Sequence, residues 1–298
     1  MEDKQKKVIA LGFFDGVHLG HQALLRTAVQ RAEELGMTPA VFTFDRSPKE
    51  FVTGVPVPLL TTAEERAAVV GRLFPITDVI VAPFDEKMMT MPWVDFVLML
   101  AQEYNAGALV AGHDFRFGHR NAGTPALLVK KARQLGMHCD IVPAVQLDGV
   151  TVSSTLIRTL LLDGRVDEAG RLLGYPFALS GSICRGKGLG RRIGAPTVNL
   201  IPPAGQLIPA HGVYITRVTV GGETYGAVTN VGVRPTVDVC GGVTVESHLL
   251  ERDLQLYGRE CRVEFLQMLR PERVFPNLEA LRNQIGLDTA AARTYWGL

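Results

Sequence analysis

Two imidazoles three positions apart, His18 and His21, end the stretch Gly12-Phe13-Phe14-Asp15-Gly16-Val17-His18-Leu19-Gly20-His21. The apolar run Val8–Phe14 reads as a buried strand, and His21–Leu35 reads as a helix closed by Gly36. In an open α/β sheet, a turn between such a strand and helix lies at the carboxyl edge, where ligands bind. The free N–H groups of a helix N-terminus favour an anion, and glycines let the backbone approach a phosphate closely. Two imidazoles separated by Leu-Gly can both donate hydrogen bonds to one polyphosphate. The bland alternative, a pair of surface histidines in a flexible turn, explains neither the glycines nor the strand-to-helix setting.

A second stretch carries a different chemistry. Arg185-Gly186-Lys187-Gly188-Leu189-Gly190-Arg191-Arg192-Ile193-Gly194 joins a permissive backbone to four cations, as a loop wrapping phosphates requires. It is not a Walker A sequence, and taken alone it is equally a solvated basic loop. It is followed by Ala195-Pro196-Thr197-Val198-Asn199-Leu200. Alternation in an extended segment sets Thr197 and Asn199 on one face, and two hard oxygen donors beside substrate phosphates suit Mg²⁺.

The elements that must position these groups fall into two halves. The first alternates strand and helix. Strand patterns at Ala40–Phe44, Asp78–Phe84, Ala108–Gly112 and His138–Val145 are separated by helical ones. One helix opens on the capping box Thr62-Ala63-Glu64-Glu65 and runs to about Phe74. Another spans Trp93–Tyr104, and a third starts at Thr124-Pro125 and ends near Gly136. Such alternation implies a doubly wound parallel sheet. After two helical stretches, Ser154–Leu162 and Val166–Leu173, the rhythm becomes strands without intervening helices. Gly212–Val220 and Thr224–Val233 flank Gly221-Gly222, a tight hairpin turn, and Val243–Leu250 and Glu260–Leu269 continue the series. A helix at Asn277–Ile285 follows. The expected architecture is an α/β domain over residues 1–175 and a small antiparallel β-barrel with a C-terminal helix over 176–298.

Totals narrow the function classes. Thirty-one Lys and Arg nearly balance thirty Asp and Glu, so a nucleic-acid groove has no support from net charge. Cys139, Cys184, Cys240 and Cys261 are widely separated and form no C-x-x-C pair, which argues against a zinc site and for a reducing compartment. The start is polar, the first apolar run is too short for a signal-peptide core, and no run approaches a membrane span. A cytoplasmic protein without membrane or nucleic-acid partners is expected.

The first stretch is similar to the H-x-G-H signature of nucleotidyltransferases, and its longer F-D-G-V-H-x-G-H form resembles FAD synthetases. Gly112-His113-Asp114-Phe115-Arg116-Phe117-Gly118 and Ser153-Ser154-Thr155-Leu156-Ile157-Arg158 resemble two further motifs of that family. The later loop with Pro196-Thr197 and Asn199 resembles the riboflavin kinase signature. So do Asn230-Val231-Gly232-Val233-Arg234-Pro235-Thr236, Val245-Glu246-Ser247-His248-Leu249-Leu250 and Leu256-Tyr257-Gly258. Together they resemble bifunctional riboflavin kinase/FAD synthetases, which use ATP to convert riboflavin to FMN and then FMN to FAD.

That resemblance implies site residues. His18, His21 and Arg158 would stabilise charge in adenylyl transfer. Gly12, Phe13, Asp15, Gly20, Asp114, Ser153, Ser154 and Thr155 would bind the nucleotide. Gly186, Lys187, Gly188, Gly190 and Arg191 would bind the kinase's ATP phosphates, Thr197 and Asn199 would hold Mg²⁺, and Glu246 would serve as base for the ribityl hydroxyl. Phe115 and Phe117 read more readily as packing residues. Two places depart from the family: Ser47 stands where T-F-D-P-H-P has its histidine, with Arg46 beside it as replacement charge. Glu251, Arg252 and Gln255 interrupt the H-L-L-D-F…D-L-Y-G run. The alternatives are an enzyme keeping one of the two activities, a flavin- or nucleotide-binding regulator without turnover, and nucleotidyl transfer to another acceptor. Self-association is left open.

Overall fold

The computed structural model describes residues 5–184, 197–233, 243–250 and 258–298. Its contacts divide the chain into two units, Met1–Ser154 and Thr155–Leu298.

In the first unit, short apolar runs form β1 (Lys7–Leu11), β2 (Thr38–Phe44), β3 (Asp78–Ala82), β4 (Ala106–Gly112) and β5 (His138–Val142). All pair in parallel, in the order β3-β2-β1-β4-β5. Parallel strands covered on both faces must be apolar on both, and β4 is buried at every position except its last. The winding reverses between β1 and β4, so the crevice beyond their carboxyl ends is the switch point where such sheets bind ligands. The sequence between strands forms α1 (Leu19–Leu35), α2 (Pro48–Thr53), α3 (Ala63–Leu73), α4 (Glu86–Thr90), α5 (Trp93–Gln102) and α6 (Pro125–Gln134). The capping box is present, with Thr62 Oγ1 accepting from Glu65 N and Glu65 accepting from Thr62 N. Thr124 accepts from Leu127 N ahead of Pro125, as expected for that pair. Helix α1 starts earlier than its apolar pattern because His18 caps it. Helices α2 and α4, and the small hairpin β6 (Gln146–Leu147) and β7 (Val150–Thr151), are too short to show a period and were not expected.

The second unit begins with α7 (Ser154–Leu162), whose first residue closes the first unit, and α8 (Val166–Leu173). Strands β8 (Ala178–Cys184), β9 (Thr197–Ile201), β10 (Gly212–Val220), β11 (Glu223–Val233), β12 (Val243–Leu249) and β13 (Glu260–Pro271) then close into a barrel. Their order is β10-β11-β12-β9-β8-β13, and adjacent strands are antiparallel throughout. The β10–β11 hairpin turns on Gly221 (φ 60°) and Gly222 (φ 86°), the two positive φ angles that a type I′ turn demands. One face of the barrel wall carries a buried hydroxyl ladder, with Thr216 Oγ1 2.6 Å from Thr229 Oγ1, itself 2.7 Å from Ser247 Oγ.

The C-terminal helix α9 (Leu278–Trp296) outruns the expected end at Ile285. Asn277 caps it by accepting from Ala280 N, and the chain continues helical through Gly286. A mid-helix glycine costs about 1 kcal/mol. The fully buried Ala292 and the Arg270–Asp288 ion pair at 2.8 Å offset that cost and hold the last turns in place. No helix among the described residues is long and apolar enough to cross a membrane.

Candidate active sites

Beyond β1 the chain turns through Phe14 (φ 56°), Gly16 (φ 80°) and Val17 (φ 38°). Left-handed backbone at two residues with side chains is strained, and such strain persists only where surrounding contacts over-determine it. Those contacts are visible. The Asp15 carboxylate, 2% exposed, accepts from Leu60 N at 2.9 Å and Thr61 N at 3.0 Å, and Gly16 N donates to Thr61 Oγ1 at 3.0 Å. Ser154 Oγ donates to the Asp15 carbonyl at 2.9 Å. The turn is thus bound to the segment before α3 and to Ser154, the last residue of the first unit.

The held turn presents His18 and His21 stacked, ring centroids 3.6 Å apart. His18 Nδ1 accepts from His21 N at 3.3 Å as the helix cap, so neutral His18 carries its proton on Nε2. Gly20 makes room for this: a Cβ there would lie 3.0 Å from His18 Cε1 and 3.1 Å from Nδ1. Desolvation, then the neighbouring His18 and Arg66, hold the His21 imidazole well below the ordinary histidine range. Both rings line a cavity of about 480 Å³ at the switch point, with Gly12, Phe13, Gly20, Asp114, Ser153 and Ser154. A second cavity of about 500 Å³ shares Phe44, Pro48, Phe115 and Arg116 with it. Its wall is aromatic (Phe44, Phe84, Phe96, Phe115, Phe117), with Lys49, His119 and Arg120 also lining it.

On the barrel, β12 sets Glu246 directly opposite Asn199 of β9 and Asn230 of β11, and His248 opposite Thr197. Directly opposed residues share a face of the sheet, as do alternate residues of one strand. Thr197, Asn199, Asn230, Glu246 and His248 therefore lie on one face, and the Thr229–Ser247 hydroxyls on the other. Asn199 is buried at 6% exposure. That face gathers a carboxylate, two amides and a hydroxyl, donors suited to a hard cation and to a proton in flight.

Of the residues singled out from the sequence, the first cavity brings together Gly12, Phe13, His18, Gly20, His21, Asp114, Ser153 and Ser154. The Asp15 carboxylate is instead bonded to Leu60 and Thr61. Thr155 and Arg158 belong to the second unit. Gly186, Lys187, Gly188, Gly190 and Arg191 lie outside the described residues, as do Glu251, Arg252 and Gln255. Phe115 and Phe117 stack at 5.3 Å, and Phe117 is in the core, yet both also line the aromatic cavity. Ser47, at the departure from the family pattern, is the N-cap of α2 and accepts from Glu50 N. Arg46 contacts Asp45 at 3.3 Å.

Three residues were given no role from the sequence. Asn230 and His248 stand in register with Glu246 and Thr197, a relation that only strand pairing reveals. Arg66 did leave a signal, because a charged residue falls at i with Val69 and Val70 at i+3 and i+4, on the buried stripe of α3.

Comparison with known proteins covers nearly the whole chain. A family model described as FAD synthetase matches residues 1–156, and one described as riboflavin kinase matches residues 173–296. A bifunctional riboflavin kinase/FMN adenylyltransferase of Pseudomonas fluorescens is 37% identical, the match spanning 96% of this chain and 92% of that protein. The Escherichia coli K12 protein of the same description is 34% identical over 98% of this chain and 93% of its own. A crystal structure titled as a macrolide-efflux protein from Streptococcus pneumoniae superposes with a TM-score of 0.88 at 30% identity, covering 98% of this chain and 95% of that one.

Proposed function

The chain belongs to the bifunctional riboflavin kinase/FMN adenylyltransferase family, and from that premise we propose which residues carry each of its two reactions. It phosphorylates riboflavin to FMN with ATP, then adenylylates FMN with a second ATP to give FAD and pyrophosphate.

Adenylyl transfer is assigned to the cavity at the switch point. FMN brings a phosphate nucleophile that is largely dianionic at neutral pH, so attack on the α-phosphorus of ATP needs no general base. What it needs is alignment, and stabilisation of charge growing on the departing pyrophosphate. Nε2–H of neutral His18, His21, the first N–H groups of α1 and Ser153 supply donors for that work, and Arg158, carried over from the family motif, would supply full charge. Gly12, Phe13, Gly20, Asp114 and Thr155 complete the nucleotide site in this reading. The adjoining aromatic cavity, with Arg116 on the shared wall, suits a flat ring system ending in a phosphate.

Riboflavin phosphorylation is assigned to the barrel face. A neutral ribityl hydroxyl, unlike FMN phosphate, gains from a proton acceptor, and Glu246 is that base. What carries this assignment is the register placing Glu246 between Asn199 and Asn230 on the face shared with Thr197. The Thr197 hydroxyl and Asn199 amide oxygen are hard donors of the kind Mg²⁺ takes alongside substrate phosphates. Bound there with ATP, the ion would neutralise charge on the transferred phosphoryl group. Gly186, Lys187, Gly188, Gly190 and Arg191 wrap the phosphates in this reading. We further propose that the enzyme works in the cytoplasm and that the chemistry divides at residues 1–175 and 176–298.

Separate mutations test the assignment. Glu246→Gln should lower riboflavin phosphorylation by ~10²–10⁴, the range for loss of a general base, while supplied FMN is still converted to FAD. The double variant His18→Ala with His21→Ala should do the reverse, with FMN accumulating and FAD absent. Flavins resolved by chromatography read both. Phosphorylation by Glu246→Gln at near the parent rate would remove the base assignment, and FAD made by the double variant at the parent rate would remove the histidines.

A further inference from the structure

Arg66, in the first turns of α3, has no exposed surface. Its Nη1 donates to Thr43 Oγ1 at 2.8 Å and to the Phe44 carbonyl at 2.9 Å. Thr43 Oγ1 in turn donates to the Phe13 carbonyl at 2.8 Å. The guanidinium carbon stands 4.3 Å from the centroid of the Phe13 ring. Its Nε and Nη2 are buried without a hydrogen-bond partner. Burial weakens its hold on its proton, and Asp15 and Glu64 work against that loss.

A buried cation with two unused donors is an expensive way to fill a core, since an apolar side chain of similar volume would pack there without desolvating a charge. What the cation does is contact two walls at once. Phe13, from the turn after β1, and Phe44, at the end of β2, both line the cavity that holds His18 and His21. Arg66 grips Phe13 by its ring and, through Thr43, by its carbonyl, and grips Phe44 by its carbonyl. A planar guanidinium can stack and donate in two directions together, which an ammonium cannot.

We propose that Arg66 is a positioning residue for adenylyl transfer, fixing from below the spacing between the Gly12–Phe13 turn and the end of β2. The proposal rests on the assignment of that reaction to this cavity. The Arg66 charge also acts on His21. Removing it takes away one of the influences that hold the imidazole uncharged, so His21 would titrate at a higher pH. The other ionisable groups of the cavity are His18, on the cap of the same helix, and His113, Asp114 and Arg116 after β4; the residues after β5 that line it bring none.

The test compares Arg66→Met, Arg66→Lys and Thr43→Val in the full chain. FAD formation from FMN is followed between about pH 5.5 and 9, and riboflavin phosphorylation is followed in the same preparations. Arg66→Met should lower kcat for FAD formation ~10- to 100-fold, the scale of a misplaced reactant, and move the His21-dependent limb of the profile to higher pH. Arg66→Lys should lose rate without moving that limb, because the charge stays. Thr43→Val, near in volume, should lose part of the rate by cutting the relay to Phe13, again with the limb in place. Phosphorylation should be unchanged in all three. Arg66→Met within twofold of the parent with the same pH profile overturns the proposal. If Arg66→Met does not fold, Thr43→Val decides, and parent-rate FAD formation there overturns it equally. FAD formation surviving loss of His18 and His21 would instead remove the site assignment on which the proposal rests.

Discussion

Replacing Asp15 by Asn should cost the first unit about 3 kcal/mol while leaving the barrel untouched. The carboxylate is 2% exposed, and its Oδ1 takes two short backbone hydrogen bonds, from Leu60 and Thr61. Hydrogen bonds to a charged group contribute about 1.5–3 kcal/mol and neutral ones about 0.5–1.5, so an amide in the same place gives up about 1 kcal/mol per bond. The buried Arg66 charge also loses an anion that favours it. Breaking a contacting buried pair costs about 3–5 kcal/mol, and Asp15 acts on Arg66 without a direct bond, so roughly a third of that is taken here. At about 2–4 °C per kcal/mol for a unit of this size, the first unit should melt ~6–12 °C lower. Calorimetry on parent and variant reads the shift, and the barrel transition serves as the internal reference. Below the new melting range, FMN should still form from riboflavin, and FAD formation should fall because the strained turn carrying His18 is held less firmly. A shift under about 2 °C would refute the reasoning, since it would mean that neither the carboxylate's charge nor its field on Arg66 matters to the fold.

Gly20→Ala should lower FAD formation by ~10-fold with phosphorylation intact, because a Cβ 3.0 Å from the His18 ring displaces that ring from its present position; steady-state rates for the two reactions check it, and an unchanged rate would mean the ring position is not used. A fragment starting at Thr155 should resist urea better than one starting at Gly174 by several kcal/mol, at ~1.5–3 kcal/mol per buried large apolar side chain. The shorter piece loses Val166, Leu172 and Leu173, all buried, and the bond from Ala210 N to the Leu161 carbonyl. Equal midpoints would show that α7 and α8 add nothing to the barrel.

The parts of the fold legible in the sequence are those written in local chemistry. Alternating strand and helix patterns announce the parallel sheet, Thr62 and Glu65 announce a helix start, and Gly221-Gly222 announces a hairpin. What stayed illegible depends on partners distant in the chain. Gly286 reads as a stop, and only the packing of Ala292 and Asp288 against the barrel carries α9 past it. Asp15 reads as part of a phosphate loop, and its bonds to residues 45 and 46 positions later are invisible until the chain folds. The same holds for Asn230, whose place beside Glu246 is a matter of strand register.

In the proposed assignment the two sites differ in make-up because their nucleophiles differ, and each fold supplies what its nucleophile lacks. A dianionic phosphate needs positive potential without a base. A switch-point crevice offers a helix N-terminus, and the His18 cap adds an imidazole whose ring N–H is set on Nε2 by the bond its other nitrogen accepts. Among the described residues Asp114 is the one carboxylate on that cavity wall, and its side chain is 82% exposed, so the crevice keeps that anionic group largely in water. An alcohol needs a base held close to a cation site, two opposite charges that must not collapse onto each other. In the proposed assignment antiparallel strands meet that need by register, holding Glu246 between two neutral amides at fixed spacing on the face that also carries Thr197. The two arrangements are not interchangeable in this reading, because a carboxylate base among the stacked imidazoles would repel the incoming phosphates.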